Sequence, residues 1–235
     1  PMTGSYRTYY VNSKTGRDTN DGLSMEFPFA SLFPVNRLDL NPGDKVLLAR
    51  DSVFAGQFLQ IRSSGTKELP IEIGSYSPEK EEGNPPLIAA DGQGIWYQDY
   101  GTPLDSPTHV YQGYVSSAVL LYDVKHVILR DLEITNRASE IPGESYSAPH
   151  KMNRTGVAVV AKDKGTCSGI TLRNLSIHDV NGNVYDKHMN NGGIYMTALK
   201  PADEKATGVA RFQDITVEGC YVYKVSRWGI AVGYT

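Results

Sequence analysis

The chain has 235 residues, 23 basic against 26 acidic side chains, a formal charge of −3 and 40% hydrophobic residues. That balance argues against nucleic-acid and membrane-surface binders, which carry a clustered basic excess, and no apolar run is long enough for a transmembrane helix. Two cysteines do not make a disulfide framework, whereas 23 glycines, 13 prolines and 15 tyrosines suit a turn-rich β protein with exposed rings.

Pro1-Met2-Thr3 reads as a cleavage remnant ahead of an initiator Met, with any native leader already removed, so residues 1–6 are set aside. Residues 7–235 read as one domain. Residues 9–11 form a short strand, and a short helix within 28–40 is expected to close the open end of a stack. Residues 42–49 are a turn and a buried strand, followed by strands at 58–61, 70–73 and 86–89. An insert then carries Trp96, Tyr97, Tyr100, Tyr111 and Tyr114, expected either to wall a groove or to cover the scaffold.

From here the chain repeats. Val127-Ile-Leu-Arg-Asp-Leu-Glu-Ile-Thr-Asn136, Ile170-Thr-Leu-Arg-Asn-Leu-Ser-Ile-His-Asp179 and Ile215-Thr-Val-Glu-Gly-Cys-Tyr-Val-Tyr-Lys224 superpose without gaps. Each is followed by a second shared segment opening with Gly156, Gly193 or Gly229, and residues 118–122 read as the same strand one coil earlier. Leu129/Leu172/Val217, Leu132/Leu175/Cys220 and Ile134/Ile177/Val222 alternate with polar positions, the period of a half-buried strand. Strands this short bury their apolar face only when successive coils stack in register. A β-propeller repeats at a similar interval but needs hairpin-linked strands, and two-residue turns are missing here. The fold expected is all-β: a right-handed parallel β-helix, its N-terminal portion with a cap, stopping inside a repeated strand at residue 235.

The strings Tyr9-Tyr-Val-Asn-Ser, Gly16-Arg-Asp, Asn20-Asp-Gly, Pro42-Gly-Asp-Lys-Val-Leu-Leu and Ser63-Ser-Gly-Thr-Lys-Glu-Leu-Pro-Ile-Glu-Ile73, with Leu175-Ser-Ile-His-Asp-Val-Asn-Gly182 and Asn191-Gly-Gly-Ile194, resemble secreted bacterial β-helix carbohydrate-active enzymes. The resemblance runs from about residue 7 to the end. That group holds lacto-N-biosidase-like glycoside hydrolases and polysaccharide lyases. It implies an extracellular or cell-surface enzyme with a carbohydrate substrate. In the lacto-N-biosidase branch it also implies a longer helix, with the acid/base pair downstream of Thr235.

In a stack, variable loops at one corner build the site. The corner inserts here are 137–155, 180–192 and 225–228. An ungapped alignment predicts two ladders, Thr135–His178–Tyr223 and Asn136–Asp179–Lys224, beside a floor where Ala158 and Ala231 flank Tyr195. Glycoside hydrolysis needs two carboxylates, and Asp179 and Asp186 are the catalytic candidates. His178, Asn181, His188, Asn190, Asn191, Tyr195, Arg227 and Trp228 are candidates for binding sugar through ring stacking and dense hydrogen bonding. A lyase would instead draw on Lys187, His188, Lys224 and Arg227 as base and carboxylate clamp. A third reading is a non-catalytic half whose open end pairs with a C-terminal β-helix chain or a segment continuing from residue 235. Asp18-Thr-Asn-Asp21-Gly22 lacks the spaced oxygen ligands of a calcium loop, so neither metal nor cofactor is implied.

Overall fold

The structure, a computed structural model, describes residues 6–79, 82–101, 110–137, 152–184 and 188–233. The strand β1 (Thr8–Val11) leads. The first full coil is β2 (Lys45–Ala49), β3 (Val53–Ala55) and β4 (Leu59–Ile61). The second is β5 (Ile71–Tyr76), β6 (Leu87–Ala89) and, after the hairpin strand β7 (Ile95–Asp99), β8 (Gln112–Tyr122). The third is β9 (Val127–Arg130), β10 (Glu133–Asn136) and β11 (Asn153–Ala161). After β12 (Thr166–Ser168) come β13 (Thr171–Arg173), β14 (Ser176–Val180) and β15 (Gly192–Ala198). After the four-residue α1 (Glu204–Thr207) and β16 (Arg211–Gln213) come β17 (Thr216–Glu218), β18 (Tyr221–Val225) and β19 (Ile230–Gly233).

Strands of equal rank stack in parallel. They form a first sheet β1-β2-β5-β9-β13-β17, a second β3-β6-β10-β14-β18 and a third β4-β8-β11-β15-β19; β12 and β16 pair with each other. This is a parallel β-helix, and its crossovers follow the right-handed rule set by strand twist. Like sits on like: Leu129, Leu172 and Val217 align in the first sheet, and Val157 lies between Val119 and Ile194 in the third. These side chains fill one continuous core. Among the described residues no helix is long and apolar enough to cross a membrane.

The repeated ten-residue segment is two strands rather than one. Asp131, Asn174 and Gly219 sit at its middle in the left-handed region, with φ of 56°, 51° and 61°, and there the chain turns from the first sheet into the second. Asp and Asn tolerate this conformation and glycine adopts it without strain. The glycine opening the second shared segment answers a different constraint. A Cβ on Gly156 would lie 2.5 Å from Ile177 Cγ2, and one on Gly193 would lie 2.4 Å from Val222 Cγ1, so the second and third sheets meet too closely for a side chain there.

The expected helix within 28–40 is one 3-10 turn, Val35–Arg37. Its Asn36 side chain donates to Phe58 O at 2.9 Å and accepts from Gln60 N at 2.8 Å, blunting the edge of the third sheet as a neighbouring strand would. Asp18 also serves the cap: its carboxylate accepts from Ala30 N, Ser31 N and Ser31 Oγ. Cys167 is fully buried, its thiol pushed up to about 11 by that burial. Cys220 packs partly exposed against the core at the inward position expected of it.

The third sheet also carries a second, outer core. β7 pairs antiparallel with the start of β8, and Trp96, Tyr100, Met189 and Leu199 pack over Val115, Leu120, Ala158 and Val160. The aromatic insert is therefore cover over most of this face. Ala158 is fully buried and is no part of an open floor, which corrects the floor predicted from the repeat.

Candidate active site

The corner between the second and third sheets collects the predicted residues, with a one-residue shift. β10 and β14 run in register through Ile134↔Ile177, and Asn136 then pairs with Val180. β14 thus carries an extra residue, a β-bulge, and β18 repeats it, since His178 pairs with Tyr223 and Val180 with Val225. The bulged residues are Asp179 and Lys224, both left-handed at φ 51° and 48°. The predicted ladder Asn136–Asp179–Lys224 is corrected accordingly. Asn136 is fully buried and donates to Ser116 O, Ser116 Oγ and Thr155 O while accepting from Gly92 N. Only the acid and the base project at the bulge.

The first predicted ladder is also altered. His178 stacks on Tyr223 with ring centroids 4.8 Å apart and planes 14° apart. Thr135 is buried, and the residue that meets His178 from the preceding coil is Glu133, whose Oε1 lies 2.7 Å from His178 Nε2. Glu133 was not singled out as a site residue in the sequence. Its signal is its outward position one coil below His178, where a long side chain reaches diagonally. On the other side of the ring, His178 Nδ1 lies 2.6 Å from Asp179 Oδ2, and Arg137 Nη2 lies 3.1 Å from the same oxygen. The hydrogen bond from His178, and then Arg137, hold the Asp179 carboxyl below the usual carboxylate range despite partial desolvation.

Round the same corner, on the third sheet, lies a cleft of about 460 Å³. Tyr195, Ala231 and Gly233 line it together with Tyr100, His188, Trp228, Ile230 and Val232. Tyr100 and His188 meet edge to face at 5.7 Å. Trp228 is 40% exposed, and the Arg227 guanidinium lies 5.1 Å from its ring centre while also donating to Val184 O. His188, Tyr195, Arg227 and Trp228 are thus brought together at this cleft and its rim.

Other predicted residues go elsewhere. Asn190 and Asn191 are fully buried, which differs from the sugar-facing role expected of them. Asn190 donates to Thr197 Oγ1 and Asn191 donates to Asn153 Oδ1 while accepting from Arg154 N, because the coil's own backbone and ladders need those amides. Asn181 is 8% exposed and its carbonyl accepts from Arg154 Nη1. Asp186 and Lys187 lie outside the described residues. Among the described residues no group of three His, Cys, Asp or Glu side chains is arranged to hold a metal ion.

A polar column and an aromatic cleft at one corner of a β-helix invite comparison with known proteins. No protein-family model matches the chain. It is 40% identical, over 99% of its length, to a lacto-N-biosidase of Bifidobacterium longum subsp. longum. It also superposes, over 97% of its length, on crystal structures of the GH136 lacto-N-biosidase from Eubacterium ramulus, with a TM-score of 0.91 and 61% identity. The chain is a homologue of GH136 lacto-N-biosidases. It spans 16% of the B. longum protein and 36% of the solved E. ramulus chain. The lacto-N-biosidase likeness thus takes in both the polar column and the cleft.

Proposed function

We propose that this chain supplies the scaffold and part of the active corner of a glycoside hydrolase acting on oligosaccharides. The observation that carries the reading is a carboxylate, Asp179, held in its charged form by His178 and Arg137 on β14, one turn of chain ahead of the sheet that bears the aromatic cleft. The name of the relatives supplies the substrate class, glycans bearing lacto-N-biose units.

In this reading a sugar ring lies against Trp228 and Tyr195, with its hydroxyls toward His188 and Arg227. Aromatic faces pack against the apolar C–H side of a sugar while the rim hydrogen-bonds its edges. Cleavage needs one carboxylic acid to protonate the leaving oxygen and one carboxylate to act as nucleophile or to activate water. Asp179, stabilised in its charged form, suits the second role. Asp186, seven residues on at the same corner insert, is the proposed acid. Carboxyl groups about 5–5.5 Å apart give retention, and about 6.5–9.5 Å inversion.

The last coil supports a further part of the proposal. Ile230 and Val232 are 52% and 67% exposed, and among the described residues β17, β18 and β19 pair on one side only. This edge suits addition of another coil, from the same polypeptide or a second chain. An extracellular site of action belongs to the same proposal.

Incubating the active protein with a lacto-N-biose-capped oligosaccharide tests the reading. Wild type is expected to release the disaccharide, and Asp179→Asn and Asp186→Asn to abolish release. Full turnover by both variants removes the pair, and an unsaturated, ultraviolet-absorbing product would make the chemistry a lyase's.

A further inference from the structure

The two ring nitrogens of His178 each face a carboxylate oxygen, Asp179 Oδ2 at 2.6 Å and Glu133 Oε1 at 2.7 Å. A neutral imidazole has one N–H and one lone pair, so it can donate to only one of them. A lone pair against an ionised carboxylate at such a distance is repulsive. Both contacts act as hydrogen bonds only where a hydrogen lies between each ring nitrogen and its carboxylate oxygen.

We propose that Glu133 is a positioning residue for the Asp179 carboxylate, acting through His178. The inference rests on the reading of Asp179 as a member of the hydrolytic pair, and adds a residue that the pair does not contain. Glu133 lies on the preceding coil and Asp179 on the bulge of β14, and each meets the ring at a different nitrogen. The Glu133 carboxylate engages Nε2 and so fixes the ring with Nδ1 toward Asp179. The Nδ1–H donated to Asp179 fixes which oxygen is engaged and favours the ionised carboxyl group.

Among the described residues the other charged or titratable groups around the ring are few. Arg137 reaches Asp179 from the segment after β10. Tyr223 stacks on the ring from β18, and Tyr221 packs against Tyr223. Lys224 occupies the bulge position of the next coil. Toward the preceding coil Glu133 pairs with Leu87, which brings no charge. Glu133 is thus the acidic residue among them that meets the Nε2 side of the ring.

The test is the titration of Asp179 in this chain, followed by carboxyl ¹³C NMR and assigned with Asp179→Asn. Glu133→Gln keeps the shape and removes the charge. It is expected to move the Asp179 midpoint up by about one pH unit. The lower limb of the kcat/KM profile of the active protein is expected to move the same way, with the thermal midpoint nearly unchanged. Should Glu133→Gln fold poorly, His178→Gln breaks the same link and is expected to raise the midpoint at least as far. An Asp179 midpoint unmoved by either folded variant overturns the proposal. Failure of the hydrolytic reading looks different: Asp179→Asn would then retain turnover, whatever the NMR titration shows.

Discussion

Asn136 and Asp179 occupy one place in an ungapped alignment of the coils and perform opposite tasks. The asparagine turns inward and ties Ser116, Thr155 and Gly92 together at the corner. The aspartate is the extra residue of a bulge and turns outward to His178 and Arg137. Nothing in the two strings marks the bulge, because it is compensated inside the variable loop that follows. Removing the amide in Asn136→Ala would leave buried backbone groups unpaired, at about 1–3 kcal/mol for such a loss. Denaturant unfolding is expected to show roughly 3 kcal/mol of destabilisation; a change within error would mean that water replaces the amide. Asp179 has its own stability signature. Its folded-state carboxyl is depressed, so its contribution is complete above the free carboxylate value of about 3.9. That contribution fades as pH falls through the lower folded value. The stability gap between wild type and Asp179→Asn should therefore be constant near neutrality and close on acidification below about pH 4.

At the scale of elements, the alternation of apolar residues was enough to predict stacked short strands, and Leu129, Leu172 and Val217 lie in register as the repeat requires. The bend inside the repeated segment was less legible, since Asp131, Asn174 and Gly219 share a backbone conformation but no side-chain chemistry. The hairpin cover was legible only as a cluster of aromatics. Its pairing, with Tyr97 opposite Tyr114, comes from an antiparallel ladder outside the repeat. Close approach of the second and third sheets makes Gly156→Ala a sensitive probe. Backbone and Ile177 must yield to the new methyl, and overpacking of this kind costs about 1–3 kcal/mol, readable as a lowered denaturation midpoint. On the cleft face, Trp228→Ala removes the exposed indole that is proposed to stack on sugar. KM is expected to rise about tenfold with kcat little changed, the size of about 1.4 kcal/mol of ring contact. An unchanged KM would move the sugar away from the cleft.

For the whole molecule, the β-helix was legible because a stack repeats its packing problem and so repeats its solution in sequence. The candidate site was legible only in part, because its residues lie where the coils stop repeating. Tyr195 and Trp228 line the cleft with Arg227 beside the indole, His178 meets Asp179 on β14, and Glu133 enters from the coil below. Asn190 and Asn191 resembled sugar ligands by residue type, and their amides serve the coil. Hydrolysis is proposed to take place at the bulge of β14. The most direct measurement is the turnover of a lacto-N-biose-capped oligosaccharide by the active protein carrying Asp179→Asn, with glycan binding followed in parallel by Trp fluorescence. Turnover is expected to fall by roughly a thousandfold or more, the scale on which loss of one catalytic carboxylate acts, with binding retained. Wild-type turnover in a folded, glycan-binding variant would contradict it.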